Sequence, residues 1–213
     1  MKAFYLLLSI FLYASNLSEA LASDFSFKYR LEILSMNQGL SQHDISSIAQ
    51  DRYGFIWIAT YDGLLRYDGY TFKTYRFDDT NPKSISDNRI LSIYLDSAEN
   101  LWIGTEGGGL NLYNYDLEEF SKFKFSENPL DNNIYSIYED NEHNLWAGTG
   151  CGVYKLNYSP ENRELRITPI VSNFEEMTNV RAIYRNSKDE MILGTTIGLY
   201  TLNPNNTPPS HSH

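Results

Sequence analysis

Residues 96–105 read Asp-Ser-Ala-Glu-Asn-Leu-Trp-Ile-Gly-Thr, and this stretch decides the fold because it recurs along the chain. Related copies begin at Asp51 and Asp140, and in all three a tryptophan follows the aspartate by six residues. The tryptophans are 45 and 44 residues apart, and Ile192 takes the equivalent position 46 residues later in a fourth, weaker copy. Repetition at this period indicates an array of similar small units.

Each copy lies between two other short apolar runs, so one repeat holds three clear strand candidates. The runs are rich in Ile, Tyr, Trp and Thr, which favours strands over helices. Between the first and second runs an aspartate can accept the backbone hydrogen bonds of a turn, at Asp51, Asp96 and Asp140. A glycine that suits the positive φ of a hairpin opens the third run, at Gly63, Gly109, Gly152 and Gly198. A fourth strand is predicted at 70–75, 119–125 and 164–168.

The second run of each repeat is apolar on both faces, which decides how the repeats pack. Neighbouring residues of a strand point to opposite faces, so Trp102 and Ile103 both need burial on different sides. A sheet packed between two copies of itself buries both faces, whereas a sheet with one solvent-exposed face does not. The sequence therefore predicts an all-β fold, a β-propeller of four-stranded antiparallel blades, with blades near 40–76, 85–125, 130–168 and 179–202. The structural tryptophans are Trp57, Trp102 and Trp146.

The chain start has the pattern of a secretory signal peptide. Lys2 precedes an apolar run over residues 3–14, and Ala20-Leu21-Ala22 offers the small residues of a cleavage site. The run is too short for a membrane span. We expect residues 1–22 to be removed, and residues 23–203 to form an exported, partial propeller. Residues 25–34 are predicted as an outer strand that completes the last blade, and residues 204–213 as an unstructured tail.

Composition excludes several classes of partner. The 213 residues carry 27 acidic and 17 basic side chains, a formal net charge of -10. That balance disfavours nucleic acid and anionic lipid, both of which need clustered Lys and Arg. Cys151 is the single cysteine, so an internal disulfide is impossible and the core must hold the fold. We expect Cys151 to be a small packed side chain at a turn.

The repeated motif resembles the two-component regulator propeller family. It reads Asp140-x5-Trp146-x-Gly148-Thr149-x2-Gly152, and the first repeat adds Gly39-Leu40-Ser41 and Asp62-Gly63-Leu64. The resemblance covers about residues 25–202, although Ala59 replaces the motif glycine and the fourth copy lacks both Trp and Asp. It implies the periplasmic sensor region of a hybrid histidine kinase that recognises a carbohydrate, without the kinase itself. It also implies a seven-bladed closure, so that four blades would form an open arc able to self-associate through an unpaired face.

The loops that enter strand one and that join strands two and three share one end of a propeller, where ligands bind. Arg, Asn and Asp side chains with a Tyr suit sugar hydroxyls through hydrogen bonds and stacking, although Asn and Asp also favour ordinary turns. The candidate ligand-binding residues in these loops are His43, Asp44, Tyr61, Asp62, Asn88, Arg89, Glu106, Asn132, Asn133 and Asn179.

No catalytic or metal-binding constellation emerges from the sequence. His43 and His143 fall in loops at opposite ends of their blades, and the glycines at 107–109 precede no helix that could hold a phosphate. We therefore expect no cofactor, no metal and no enzymatic activity. Two alternatives stay open: a secreted propeller lyase, for which His43 lies in a suitable loop, and an interaction scaffold without a small ligand.

Overall fold

The computed structural model describes residues 44–172, 179–187, 190–203 and 207–211, which form four antiparallel sheets of four strands each. Strands that follow one another in the chain are neighbours in each sheet. The predicted all-β fold of four-stranded blades is confirmed. No helix in the described part of the chain is long and apolar enough to cross a membrane.

The strand bounds follow the repeat. Blade 1 consists of β1 (Ile45–Gln50), β2 (Ile56–Thr60), β3 (Gly63–Tyr67) and β4 (Phe72–Tyr75). Blade 2 consists of β5 (Ile90–Leu95), β6 (Leu101–Thr105), β7 (Leu110–Asn114) and β8 (Glu119–Phe123). A short 3-10 helix (Pro129–Asn132) precedes blade 3, which consists of β9 (Ser136–Glu139), β10 (Leu145–Gly148), β11 (Gly152–Ser159) and β12 (Glu164–Ser172). Blade 4 consists of β13 (Ala182–Arg185), β14 (Met191–Thr195), β15 (Gly198–Asn203) and β16 (Thr207–His211).

The aspartate of each repeat shapes the turn between the first two strands, as predicted. One Asp51 oxygen accepts hydrogen bonds from the backbone N–H groups of Tyr53 and Phe55, at 2.9 and 3.0 Å. The other oxygen accepts the indole N–H of Trp57 at 2.7 Å. The indole bond recurs from Trp102 to Asp96 at 2.8 Å and from Trp146 to Asp140 at 2.9 Å. The carboxylate therefore joins the turn to the buried strand that follows it.

The hairpin between the second and third strands is closed by the threonine that ends the motif. The Thr60 hydroxyl donates to the carbonyl of Gly63 at 2.7 Å, and the same bond joins Thr105 to Gly109 at 2.8 Å. Gly63, Gly109 and Gly198 have φ of 121°, 81° and 154°, as expected for residues without a Cβ. Gly152 does not have a positive φ, so the prediction is wrong there, although Thr149 still bonds its carbonyl at 3.1 Å.

Each tryptophan lies between its own blade and the next. Trp57 packs in a cluster with Ile90 and Ile103 of blade 2, and Trp102 with Ile134 and Leu145 of blade 3. Trp146 packs against a cluster that includes Val180 and Leu193 of blade 4. The three indoles thus occupy like environments, as the repeat predicts. The core of the molecule is a series of layers between successive blades.

A polar contact accompanies each apolar layer. The hydroxyls of Ser46, Ser92 and Ser136 donate to the backbone carbonyls of Ile90, Ile134 and Val180 in the next blade, at 2.7, 2.9 and 3.0 Å. Beside two of these bonds lies the motif glycine, where a Cβ would sit 2.6 Å from the Ile134 oxygen at Gly104 and 2.5 Å from the Val180 oxygen at Gly148. We call this combination of serine, carbonyl and glycine the blade seam. It explains why a glycine follows the tryptophan by two residues.

The fourth strand of blade 4 differs from the prediction. Residues 207–211 were expected to be unstructured and the last blade to lack its own fourth strand, but Thr207–His211 pairs with β15 as β16. β16 is the edge strand of its sheet, and a segment that contains prolines fits there because an edge strand needs fewer N–H donors. The predicted signal peptide at 1–22 and outer strand at 25–34 lie outside the described residues.

Candidate ligand-binding site

One end of the blades is joined into a continuous rim by backbone hydrogen bonds. The N–H of Gly63 donates to the carbonyl of Asn88 at 2.8 Å, and the N–H of Gly109 to that of Asn132 at 3.0 Å. Farther along, the N–H of Asn179 donates to the carbonyl of Gly150 at 3.1 Å. In blades 1, 2 and 3, the turn between the second and third strands is therefore hydrogen-bonded to the segment that leads into the next blade. The predicted ligand-binding loops lie on this rim.

Three of the predicted site residues meet at the boundary of blades 1 and 2. The Arg89 Nε lies 2.9 Å from the Glu106 Oε2, and the Arg89 guanidinium carbon lies 5.0 Å from the centre of the Tyr61 ring. The backbone N–H of Glu106 donates to the carbonyl of Arg89 at 2.9 Å, which fixes the two side chains at neighbouring positions. The Tyr61 side chain is exposed. We call Tyr61, Arg89 and Glu106 the rim cluster.

Asp62 and Asn88 lie beside the rim cluster but serve the fold. The Asp62 carboxylate pairs with the Arg76 guanidinium at 2.6 Å, and the Asp62 carbonyl accepts from the Arg76 Nε at 3.0 Å. The Asn88 Oδ1 accepts the backbone N–H of Phe77 at 2.8 Å. The first contact holds the segment that leaves β4 against the β2–β3 turn of blade 1, and the second holds it against the segment that leads into blade 2. These two side chains are therefore already engaged within the protein.

The remaining predicted residues do not join the rim cluster. Asn132 is buried and holds its loop, because its Nδ2 donates to the carbonyls of Ser126 and Asn128 at 2.9 and 3.2 Å. The other described candidates are Asp44, which is exposed, and Asn133 and Asn179, which are half-buried. Asn179 has a φ of 52°, in the left-handed region that asparagine tolerates. His43 lies outside the described residues.

A second pairing of arginine with tyrosine was missed by the sequence reasoning. The Arg181 guanidinium carbon lies 4.6 Å from the centre of the Tyr135 ring, at the boundary of blades 3 and 4. Each residue comes directly after the first residue of its repeat, next to Ile134 and Val180. Nothing in residue type or spacing set this pair apart. Its position suits it to extend a site along the rim.

Cys151 lies in a turn and donates its thiol hydrogen to a buried carboxylate. Its Sγ lies 2.7 Å from the Asp131 Oδ1, and the other Asp131 oxygen accepts from the Ser126 hydroxyl at 2.6 Å. Burial alone would raise the pKa of Asp131, but the hydrogen bonds from Cys151 and Ser126 outweigh it and lower that pKa. An anionic neighbour disfavours a thiolate. The environment therefore suits a structural thiol better than a nucleophile.

At the opposite end of the blades, the Asp140 carboxylate is shared between two blades. It accepts the Trp146 indole N–H of its own blade and lies 3.0 Å from an Arg185 guanidinium nitrogen of blade 4. Burial alone would raise the pKa of Asp140, but the hydrogen bonds from Trp146, Asn144 and Glu142 outweigh it and lower the pKa from its ordinary 3.8. The folded protein thus favours the ionised form.

We expect Asp140→Asn to be less stable than the wild type by about 2 kcal/mol at neutral pH, because a charged acceptor of several hydrogen bonds is lost. Since the folded pKa lies below 3.8, the stability from the carboxylate is full above that value and is lost as the pH falls through the folded pKa. Urea unfolding of both proteins between about pH 6 and pH 3 measures the effect. The difference should shrink at the acid end, and a constant difference would show that the ionisation of Asp140 does not stabilise the fold.

Among the described residues, no group of three or more His, Cys, Asp or Glu side chains could hold a metal ion. The rim cluster consists of one aromatic ring, one guanidinium and one carboxylate. Such a set offers a flat apolar face together with hydrogen-bond donors and acceptors. It suits reversible binding of a hydroxyl-rich ligand.

Comparison with known proteins agrees with the repeat. The model of the family described as "Two component regulator propeller" matches residues 39–62, 84–107 and 128–150. Over 64 residues the chain is 44% identical to Histidine kinase P4 of Formosa agariphila, a match that covers 30% of this chain and 4% of that protein.

Two solved structures show how far the fold extends. The extracellular domain assigned to a hybrid two-component system of B. thetaiotaomicron is 24% identical, with a TM-score of 0.58 over 84% of this chain and 31% of that chain. A virginiamycin B lyase from Staphylococcus aureus is 17% identical, with a TM-score of 0.56 over 79% of this chain and 55% of that chain. This chain therefore spans about a third of that extracellular domain, and the structural likeness to both proteins shows the propeller fold. The matched segments carry the motif of blades 1, 2 and 3, so these three repeats are two-component regulator propeller repeats.

Proposed function

We propose that this chain is a ligand-sensing propeller segment of a two-component receptor, that it acts in the periplasm, and that it binds an oligosaccharide. The observation that carries the proposal is the rim cluster, which lies on blades of this family at the end where propellers bind ligands. The signal-peptide pattern at 1–22 supports export. In this proposal the chain supplies recognition and no catalysis.

The geometry of the rim cluster supports a saccharide as the ligand. An exposed tyrosine ring offers a face for the apolar side of a sugar, and an arginine and a glutamate offer donors and acceptors for its hydroxyls. The ion pair between Arg89 and Glu106 holds both side chains before a ligand arrives, so little conformational entropy is lost on binding. The exposed position leaves room for a chain of several sugar units.

We expect Tyr61→Ala to weaken saccharide binding about tenfold, since a stacked aromatic contact contributes about 1.4 kcal/mol. The protein is first screened on an oligosaccharide array, and the sugar that binds best is then titrated by calorimetry. Tyr53→Ala is the matched control, because Tyr53 is also an exposed tyrosine but lies in the β1–β2 turn at the other end of blade 1. The control should bind like the wild type.

The outcomes separate the proposal from its alternatives. Equal loss of affinity in both variants would remove the rim cluster as the site. A folded protein that binds no saccharide on the array would favour an interaction scaffold. Chemical turnover of the bound sugar, followed by mass spectrometry, would favour a lyase.

A further inference from the structure

Tyr135 and Arg181 form a second pair of tyrosine and arginine on the rim, which we call the second rim pair. The two residues hold the same repeat position in successive blades, 46 residues apart, and the Arg181 guanidinium carbon lies 4.6 Å from the centre of the Tyr135 ring. Directly before Arg181, the backbone N–H of Val180 donates to the carbonyl of Thr149 at 2.9 Å. Because Thr149 closes the turn between the second and third strands of blade 3, this bond fixes the second rim pair at the rim end of the blades.

The rim cluster and the second rim pair differ in charge. In the rim cluster the Arg89 Nε lies 2.9 Å from the Glu106 Oε2, so the guanidinium and the carboxylate neutralise each other. Arg181 is exposed, and within the described part of the chain it makes no ion pair with a carboxylate. A guanidinium in this state attracts an anionic group and can hold it through several N–H donors. A neutral sugar unit therefore suits the rim cluster, whereas a negatively charged unit suits the second rim pair.

Glycines form much of the rim between the two sites. The turn of blade 2 continues from Glu106 into Gly107 and Gly108, and the turn of blade 3 begins with Gly150. Apart from its chain neighbours, no described residue has an atom within 4 Å of a Cβ built at Gly107, so the surface above this residue is open. Glycine also allows a ligand to approach the backbone closely. An extended ligand can therefore follow the rim from the rim cluster toward the second rim pair.

We propose that the rim binds an oligosaccharide that carries a carboxylate or a sulfate ester, with the anionic group on Arg181 and a neutral unit stacked on Tyr61. This inference rests on the proposed function, because it names the class of saccharide for the same rim. A carboxylate and a sulfate ester both present anionic oxygens to a guanidinium, so they share one recognition chemistry. The formal net charge of -10 repels anions over much of the surface, so a preference for an acidic sugar requires a local cation.

Matched pairs of saccharides test the proposal on the full chain. An array presents tetrasaccharides that contain uronic acids beside their carboxyl-reduced forms, and sulfated tetrasaccharides beside their desulfated forms. Both members of the pair that binds best are then titrated by calorimetry. The acidic member should bind about tenfold more tightly than its neutral counterpart. Raising the NaCl concentration from about 50 mM to about 500 mM should reduce this ratio, because salt screens an exposed charge.

Arg181→Gln should remove the preference for the acidic member, so that the ratio of the two dissociation constants falls from about tenfold to about one. Arg166→Gln is the matched control. It makes the same charge change at an exposed arginine of β12, which pairs with Asn157 away from the rim, and it should keep the wild-type ratio. Tyr61→Ala should weaken the binding of both members about equally, because the stacked unit is common to both.

The outcomes distinguish this inference from the proposed function. Neutral members that bind as tightly as acidic ones, and that need Tyr61, would overturn the inference and leave the proposed function in place. A preference that survives Arg181→Gln would also overturn it, since the anionic group would then be held elsewhere. A folded protein that binds no member of any pair would overturn both. A preference confined to the uronate pairs or to the sulfated pairs would support the inference and identify the source of the charge.

Discussion

Replacing Trp102 with alanine is expected to lower the free energy of unfolding by about 3–5 kcal/mol. The Trp102 side chain is fully buried and donates its indole hydrogen to Asp96. It packs edge-on against Tyr158, with the two ring centres 5.3 Å apart. The substitution opens a cavity between blades 2 and 3 and removes a donor from a buried carboxylate. Urea unfolding followed by far-ultraviolet circular dichroism measures the loss.

Ile192→Ala is the matched control for Trp102→Ala. Ile192 holds the same repeat position in blade 4, but it is only half-buried and lies beside the exposed Tyr184. We expect this substitution to cost about 1 kcal/mol, because little buried apolar area is lost. Equal costs at the two positions would contradict the conclusion that the motif tryptophan stabilises the layer between blades.

Gly148→Val is expected to lower the free energy of unfolding by about 3 kcal/mol through overpacking. A Cβ at this position would lie 2.5 Å from the Val180 carbonyl oxygen and 2.4 Å from the Ser136 hydroxyl. The Ser136 hydroxyl lies in the same blade as Gly148 and can turn away, but relief of the clash with the Val180 oxygen requires blades 3 and 4 to move apart. The unfolding midpoint in urea, read at equal m-values, gives the size of the effect.

Gly194→Val tests whether the loss at Gly148 comes from contact between blades. It makes the same chemical change at the equivalent position of blade 4, where, among the residues that the structure describes, Ala182 at 3.4 Å is the nearest contact. We expect a change of less than about 0.5 kcal/mol. A large loss at Gly194 would show that backbone conformation, and not the approach of the next blade, demands a glycine in this motif.

The propeller architecture could be predicted from the sequence because each repeat contains both the residues that shape its turns and the apolar residues that pack between blades. Trp102 and Ile103 point to opposite faces of one strand and are both apolar, which requires sheets on both sides. The aspartate six residues before the tryptophan and the glycine six or seven residues after it mark turns whose chemistry is local. These features depend on residues that are close together in the sequence, so they can be predicted before the fold is known.

Contacts between segments that are far apart in the sequence could not be predicted in this way. The turn function of Asp96 was predicted, but its bond to the Trp102 indole depends on the course of the chain through the turn. The pairing of β15 with Thr207–His211 depends on which edge a short segment reaches, and its composition alone indicated a tail. For the ligand site, residue types in the predicted loops identified the candidates. Only the structure shows that Tyr61 and Arg89 lie together and that the Asn132 side chain holds its own loop.

The blade seam has a consequence for how such chains grow by duplication. The serine hydroxyl bonds a main-chain oxygen, so the contact tolerates drift at the residue that carries it, which is isoleucine at positions 90 and 134 and valine at position 180. A new copy of blade 2 or blade 3 brings its own serine, its own glycine and its own carbonyl. It can therefore join the array at once, before any of its side chains have adapted to a new neighbour.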